Sequence, residues 1–544
     1  MNNVRTLLLS LVLLGPFTNI TLAQDVFLNK RASWMAKAES YRPKLTVTPK
    51  LPIQLVDVVI DSNAFQDVKA VAKSNISEFY KMQFSKPKSV ILDFGEHITG
   101  TIKFALSTTG PADSPARLKF TYGEIPADLY YSLDTLKPTI TRAWIQDEEV
   151  YVDVLPNTIR LPRRHSFRYL KIELLYSVGF TFNFSEVSCA AVSSAGLNKF
   201  PDTEQMPSLF KEINKASRNT LKECMQTVLE DGPKRDQRIW IGDFRLQALA
   251  NYYSFKNFDI VKRGFYLFAA TVAKSGLLYG TVFEKPIVRP QEHHPIDYCL
   301  LYNTSLLDYY EQSHDLETLE DLWELAKKQV EIVAPHVDEK GLIVLAPTWW
   351  SFVDWNASLD KQVSMQGLVI STFESTLKIA KLLKKEHELP KLEGLITKMR
   401  KGAKENYLDS QVKLFVSGKD HQVSVASQVW MILGGVVTPN EGRLLLKKIN
   451  STSSIKPVSP YMYHYYVEAL IKCKMYSEAR DFIAKYWGGM IKKGADTFWE
   501  VYDPENEFLS PYNSFLLNSY CHAWSCTPVY FLKKYEKELN LKTH

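Results

Sequence analysis

Several function classes are excluded by what this 544-residue sequence lacks. It contains no glycine-rich phosphate loop, no GxSxG nucleophile turn and no HExxH pair. P-loop nucleotide hydrolysis, α/β-hydrolase acyl transfer and HExxH zinc proteolysis therefore have no footing. Cysteine is sparse, with six residues at 189, 224, 299, 473, 521 and 526. Most sit in apolar segments and read as buried thiols. Only Cys521 and Cys526 are close enough in sequence to suggest a bond, and their spacing is not that of a zinc site. His293 and His294 precede a proline with no third ligand spaced around them, so no metal or cofactor is expected. No basic block tracks a phosphate backbone and the net charge is only +6, which argues against nucleic-acid binding. After the first two dozen residues no long apolar run recurs, so no membrane insertion is expected.

Those first residues, "MNNVRTLLLSLVLLGPFTNITLAQ", place Arg5 ahead of an apolar run from Leu7 to Leu14, then a Gly-Pro break and the triplet Thr21-Leu22-Ala23. The pattern is that of a signal peptide over 1–23, cleaved after Ala23 or Gln24, which predicts a periplasmic or secreted protein. The rest has the composition of a globular chain, 45% hydrophobic and 23% charged, and is long enough for two domains. Aromatic residues reach 12%, enough to fill a core and also to wall a pocket with flat apolar faces.

Residues 25–195 carry short alternating runs such as "ARLKFTYGEI" and "EEVYVDVL", broken by Gly, Pro, Asn and Asp. Period-two alternation with β-branched and aromatic residues predicts an antiparallel β-sandwich. From 196 to 540 the period becomes helical, with about twelve candidate helices near 205–229, 243–256, 259–274, 298–313, 316–335, 365–386, 391–407, 421–434, 440–449, 459–473, 475–488 and 512–536. Short connections alternate with long aromatic-rich ones at 275–297, 336–361 and 489–511, the pattern of an α/α barrel with its long loops gathered on one face.

Those loops hold the unusual residues. In "DGPKRDQRIWIGD", Asp231, Arg235, Asp236, Arg238 and Asp243 crowd around a Gly-Pro helix stop and Trp240. Asp243 is placed to cap the following helix, and Asp231 with Arg235 fits a plain ion pair. The same set also suits a sugar, because carboxylates accept from hydroxyls, guanidinium groups donate to them, and an indole covers the apolar face of the ring. In "TFWEVYD", Glu500 follows Phe498 and Trp499; desolvation there raises its pKa toward acid–base work. Asp354 in "WWSFVDWN" has the same character. Two carboxyls across an aromatic pocket are what glycoside hydrolysis requires.

The stretch "DGPKRDQRIWIGD" resembles the signature "DCPQRDERLGWTGD" of the bacterial α-L-rhamnosidases, glycoside hydrolase family 78. "ILDFGEHITGTIKFAL", "FTYGEI" and "RHSFRYLKIE" resemble that family's β-sandwich, and "VDW" and "TFWEVYD" with "CHAW" resemble barrel loops, so the similarity spans about residues 80–530. The resemblance implies a β-sandwich followed by an (α/α)6 barrel, acting on oligosaccharide or polysaccharide substrates that carry terminal α-L-rhamnose, with inversion. It implies Glu500 as general base, with Asp231, Arg235, Trp240, Asp243, Asp354, Trp355, Trp499 and His522 around the sugar. It also places Gln237 where the family has its acidic Glu. Since an amide cannot donate that proton, three possibilities stand: Asp236 or Asp231 supplies it, the leaving group needs none, or the chain binds sugar without cleaving it. An α/α-barrel polysaccharide lyase is a further alternative. The oligomeric state is not legible.

Overall fold

The computed structural model describes residues 25–196 and 206–542; the leader expected at 1–23 lies outside them. Nine strands form the N-terminal unit: β1 Thr46–Lys50, β2 Gln54–Ile60, β3 Val68–Asn75, β4 Lys88–Thr108, β5 Ala116–Gly123, β6 Asp147–Val152, β7 Asn157–Arg160, β8 His165–Leu174 and β9 Phe182–Ser193. Every pairing is antiparallel, in the order β1-β9-β4-β8-β5-β6 with β2, β3 and β7 off that path. The long β4 has two partners: residues 88–93 and 98–100 pair with β8, and 100–108 with β9. Its pairing with β8 is interrupted by a register shift beside Gly95, whose φ of +80° only glycine adopts freely, and Asp93 Oδ1 accepts from the Gly95 amide at 2.7 Å. Alternation sets the faces: Ala116, Leu118, Phe120 and Tyr122 of β5 are buried while the intervening residues are not. Phe79, Phe104, Phe167 and Phe184 fill the interior with them.

Six inner helices follow one another around a ring: Ile241–Tyr252, Ile296–Ser313, Gln362–Leu383, Val425–Leu433, Pro460–Lys472 and Pro528–Lys534, closed through the turn Ala523–Ser525. Six outer helices back them: Ser208–Cys224, Phe258–Ala270, Trp323–Val333, Leu392–Tyr407, Pro439–Asn450 and Tyr476–Lys492. Sequence explains the layering. All twelve residues of Ile241–Tyr252 are buried, its polar Arg245, Gln247 and Asn251 bonded to Asp308, the Glu230 carbonyl and the Asn257 carbonyl, whereas Ser208–Cys224 buries one stripe that includes Phe210, Ile213, Ser217, Leu221 and Cys224. All six cysteines are buried thiols, so Cys521 and Cys526 are not bonded.

Two segments depart from the sequence reading. Residues 25–45 were assigned with the strands, but Leu28–Ser40 is a helix packed on Phe258–Ala270, with Trp34 and Ala38 in the core of the helical domain. Arg263, fully buried, donates to the Ala38 carbonyl at 2.6 Å and pairs with Glu284 at 2.6 Å. Trp34→Ala should therefore destabilise the helical domain by about 3–5 kcal/mol in equilibrium unfolding; a change confined to the β domain would contradict this placement. The helix expected over 512–536 exists only at Pro528–Lys534. Phe515 and Leu516 pack instead with Val68, Ala127 and Leu133, and the Tyr520 amide donates to Glu124 at 2.5 Å. Contacts with the β domain hold 512–527 open against its apolar period, and that opened segment builds the site.

Candidate active site

At one end of the barrel, a cavity of about 240 Å3 is floored by Asp231, Arg235, Asp236, Asp243, Glu500 and His522. Its walls include Trp240, Trp350, Phe352, Trp355 and Trp524. Each carboxyl reaches it for a local reason. Asp243 lies in the first turn of Ile241–Tyr252, but the cap position belongs to Trp240, so the capping role is excluded. Gly242 beside it lets the helix meet the Tyr298 ring, where a Cβ would sit 2.3 Å from the ring. Asp243 Oδ1 is buried with no hydrogen-bond partner and lies 3.7 Å from His522 Nδ1.

Asp236 and Gln237 both have positive φ, 66° and 52°, a conformation that costs free energy and is held by the surrounding loop. The consecutive left-handed residues split the pair. Asp236 faces the cavity, where its carboxylate makes only long ion pairs, 3.8 Å to Arg235 and 3.6 Å to Arg238. Gln237 turns away and donates to the Pro233 carbonyl at 2.8 Å, lining a separate cavity. Gln237 therefore does not line the cavity that Asp236 and Glu500 share. Gln237→Glu should leave kcat on neutral glycosides within about twofold of wild type; a large gain on those with poor leaving groups would reverse this assignment.

Glu500 is almost fully buried. Its Oε1 accepts from Arg235 at 2.7 Å and from the Tyr512 hydroxyl at 2.5 Å, and its Oε2 accepts from the Ser519 amide at 3.0 Å. The expected upward pKa shift is overturned: burial, the largest effect, works against the charge, but Arg235, His522 and the Tyr512 hydroxyl together outweigh it and bring the carboxyl down to about 2. Arg235 is fixed in turn by the Leu517 carbonyl and by the face of Tyr512, 4.3 Å from the ring centre. Burial takes His522 down to about 4, so its imidazole is neutral near pH 7. Asp231, pushed up first by burial and then by the charges of Asp236 and Asp243, lies well above the ordinary carboxylate range, as does Asp243 beside Glu500 and Asp236.

Two expected sugar contacts lie elsewhere. Asp354 is consumed by the start of Pro460–Lys472, accepting from the Val458 amide at 2.9 Å and from the Ser459 amide and hydroxyl. Burial raises it to about 6, and those hydrogen bonds limit the rise. The Trp499 ring points from the cavity toward the β domain, 4.1 Å from Phe65, although its neighbour Glu500 faces in. Trp240, Trp355, Arg235 and His522 are brought together around the same cavity. Missed were Tyr298, Trp350, Phe352, Tyr512 and Trp524. Phe352 and Trp350 stand in the same aromatic stretch as Asp354, and their loop is held by Asp297, which accepts from the Phe352 and Val353 amides at 2.9 and 2.8 Å while Val353 takes a φ of 54°. Ile140 and Trp144 enter from the β domain, with no local signal in the sequence. Among the described residues no group of three or more His, Cys, Asp or Glu is arranged to hold a metal.

This architecture has known counterparts. Residues 52–191 match the glycosyl hydrolase family 78 alpha-rhamnosidase N-terminal domain, and residues 206–535 match the bacterial alpha-L-rhamnosidase 6 hairpin glycosidase domain. The chain is 36% identical to a rhamnosidase from Klebsiella oxytoca with rhamnose bound, with a TM-score of 0.90 over 93% of this chain and 99% of that one. A GH78 family rhamnosidase of Bacillus sp. GL1 is 21% identical with a TM-score of 0.67, and the match covers 82% of this chain and 46% of that one. An alpha-L-rhamnosidase of Streptomyces avermitilis complexed with L-rhamnose is 15% identical with a TM-score of 0.63, covering 90% and 44%. These last two share the fold, and this chain spans about half their length. A search of curated protein sequences gives no match. With both of its domains matched and a 36% identical rhamnosidase aligned almost end to end, the chain belongs to glycoside hydrolase family 78.

Proposed function

We propose that this hydrolase removes terminal α-L-rhamnose from a glycan by direct attack of water, with Asp236 as general acid and Glu500 as general base. The observation that carries this reading is that Asp236 and Glu500, from separate segments, reach one sugar-sized cavity, Glu500 held at 2.7 Å by Arg235 and Asp236 making no contact shorter than 3.6 Å with a cation. Glu500, held ionised by Arg235, accepts the proton of the water that attacks the anomeric carbon. Asp236, free of close hydrogen bonds, gives its proton to the glycosidic oxygen as the bond to the anomeric carbon breaks. The water becomes the new anomeric hydroxyl and the leaving group departs as an alcohol. Asp231 and Asp243, which favour the protonated form, supply hydroxyl donors to the sugar, and the tryptophans cover its apolar face. The presence of rhamnose in the Klebsiella oxytoca rhamnosidase supports the choice of sugar.

Hydrolysis of a panel of aryl glycosides tests this. Release from the α-L-rhamnoside above all others is expected; release from another sugar with silence on rhamnose would overturn it. Membership of glycoside hydrolase family 78 supports cleavage over sugar binding alone. We also propose export, carried by Arg5 and the apolar run Leu7–Leu14. The mature protein should begin at Gln24 or Asp25 by N-terminal sequencing; a retained Met1 in exported protein would contradict it.

A further inference from the structure

The cavity that Gln237 lines holds a second message. It measures about 310 Å3, lies where the β domain meets the barrel, and is bordered by Arg163, Arg164, Lys234, Lys285 and His165 with no carboxylate among its lining residues. Two of these cations are already neutralised: Arg164 pairs with Glu230 at 2.7 Å, and Lys234 lies 3.2 Å from Asp128 and 3.8 Å from Glu124; His165, in contact with Glu148 at 2.6 Å, is pushed by burial toward its neutral form. Arg163 and Lys285 are exposed and form no ion pair among the described residues; the carboxylates that feel their charge, Glu148 and Glu230, are already engaged by His165 and Arg164. The cavity therefore presents two exposed cations, Arg163 and Lys285, that no ion pair among the described residues occupies.

Its position relates that charge to the reaction. Trp144 borders both this cavity and the sugar pocket, so the two are neighbours. Asp236 faces the pocket and the next residue, Gln237, faces the basic cavity. A general acid stands beside the leaving oxygen, so the cavity just beyond Asp236 is on the leaving-group side. The catalytic loop is also tied directly to one source of the charge. Its strand Ile239–Trp240 pairs with Thr281–Phe283, which pairs with Arg289–Pro290, and Lys285 sits at the turn of that hairpin.

We infer that the leaving group carries an anion, and that the preferred substrate is α-L-rhamnose linked to an acidic sugar, such as a hexuronate, whose carboxylate is received by Arg163 and Lys285. This rests on the rhamnosidase reading and adds the identity of the residue next to the scissile bond. Carboxylate and sulfate ester share the chemistry these cations recognise, and the test separates them. One or two charge-assisted hydrogen bonds amount to on the order of a 10- to 100-fold preference.

The experiment compares kcat/KM for four substrates that share a terminal α-L-rhamnose: one linked to glucuronate, its neutral methyl ester, one linked to glucose, and one linked to glucose 6-sulfate. They are assayed with wild type, Arg163→Ala, Lys285→Ala and the charge reversal Lys285→Glu. The expected result is a 10- to 100-fold advantage for the glucuronate over its ester and over the glucoside, weakened by added salt, falling several-fold in each alanine variant and reversed or abolished in Lys285→Glu. An equal or larger advantage for the sulfated disaccharide would name sulfate as the anion and overturn the hexuronate assignment. Equal rates on charged and neutral substrates, or a preference that survives both substitutions, would overturn the inference while leaving the rhamnosidase intact. Silence on all four and on the aryl rhamnoside would overturn the rhamnosidase reading itself.

Discussion

Asp236→Asn is expected to lower kcat/KM on rhamnosides with poor leaving groups by on the order of 10²–10⁴-fold, and to cost far less on aryl rhamnosides whose phenols leave readily. The asymmetry is the signature of a general acid, because a leaving group that is already a weak base needs no proton as the bond breaks. Asparagine keeps the size and planarity of the side chain, and Asp236 makes no short hydrogen bond whose loss would disturb the loop; its ion pairs to Arg235 and Arg238 are 3.8 and 3.6 Å long. Stability should therefore change little. Steady-state kinetics on a series of aryl rhamnosides of increasing phenol pKa would show a steep dependence on leaving group in the variant and a shallow one in wild type. Parallel slopes would remove Asp236 from the acid role.

Glu500→Gln should reduce turnover by a comparable or larger factor with every leaving group, since activation of water is needed whichever alcohol departs. Glutamine can still accept from Arg235 and Tyr512, but it cannot take a proton. The substitution also takes from the buried Arg235 its closer counter-ion, leaving only Asp236 at 3.8 Å, and breaking a buried pair costs up to about 3–5 kcal/mol. The variant should thus unfold at lower temperature, and activity must be read well below that transition. Azide separates the two effects: as an anionic nucleophile it needs no base, so it should restore turnover and yield β-L-rhamnosyl azide. Failure of azide to rescue a folded variant would point to disruption of the site and away from a lost base. Because Arg235 holds Glu500 at about 2, loss of activity between pH 7 and 4 should not come from protonation of this residue.

Much of the architecture was legible because periodicity and burial are local properties. The β5 alternation and the stripe on Ser208–Cys224 each appear in a window of ten to twenty residues. Leu28–Ser40 was missed because its apolar face, led by Trp34, is narrow and its partner, Phe258–Ala270, lies more than two hundred residues away. The segment 512–527 failed in the opposite sense: Phe515, Leu516 and Tyr520 mimic a helical period, yet are spent on the β domain.

Within the site, the catalytic loop was found from charge crowded at a helix stop, but the direction of each side chain was not. Whether Asp236 or its neighbour Gln237 faces the sugar depends on two successive left-handed residues that no composition signals. Asp354 and Trp499 have the right chemical character and the wrong orientation, because the Ser459 amide and Phe65 claim them first. The pKa of Glu500 was misjudged for a related reason. Its aromatic neighbours are adjacent in sequence, whereas Arg235, which sets its charge, is 265 positions away.

The most direct test of the central claim is to follow hydrolysis of an aryl α-L-rhamnoside by proton NMR from the first turnovers, before the free sugar mutarotates. Water activated by Glu500 on the face opposite Asp236 predicts that β-L-rhamnose appears first and equilibrates later to the α form. Initial release of α-L-rhamnose would mean a covalent intermediate and a different role for Glu500, and no release at all would contradict the assignment of this pocket to rhamnoside hydrolysis.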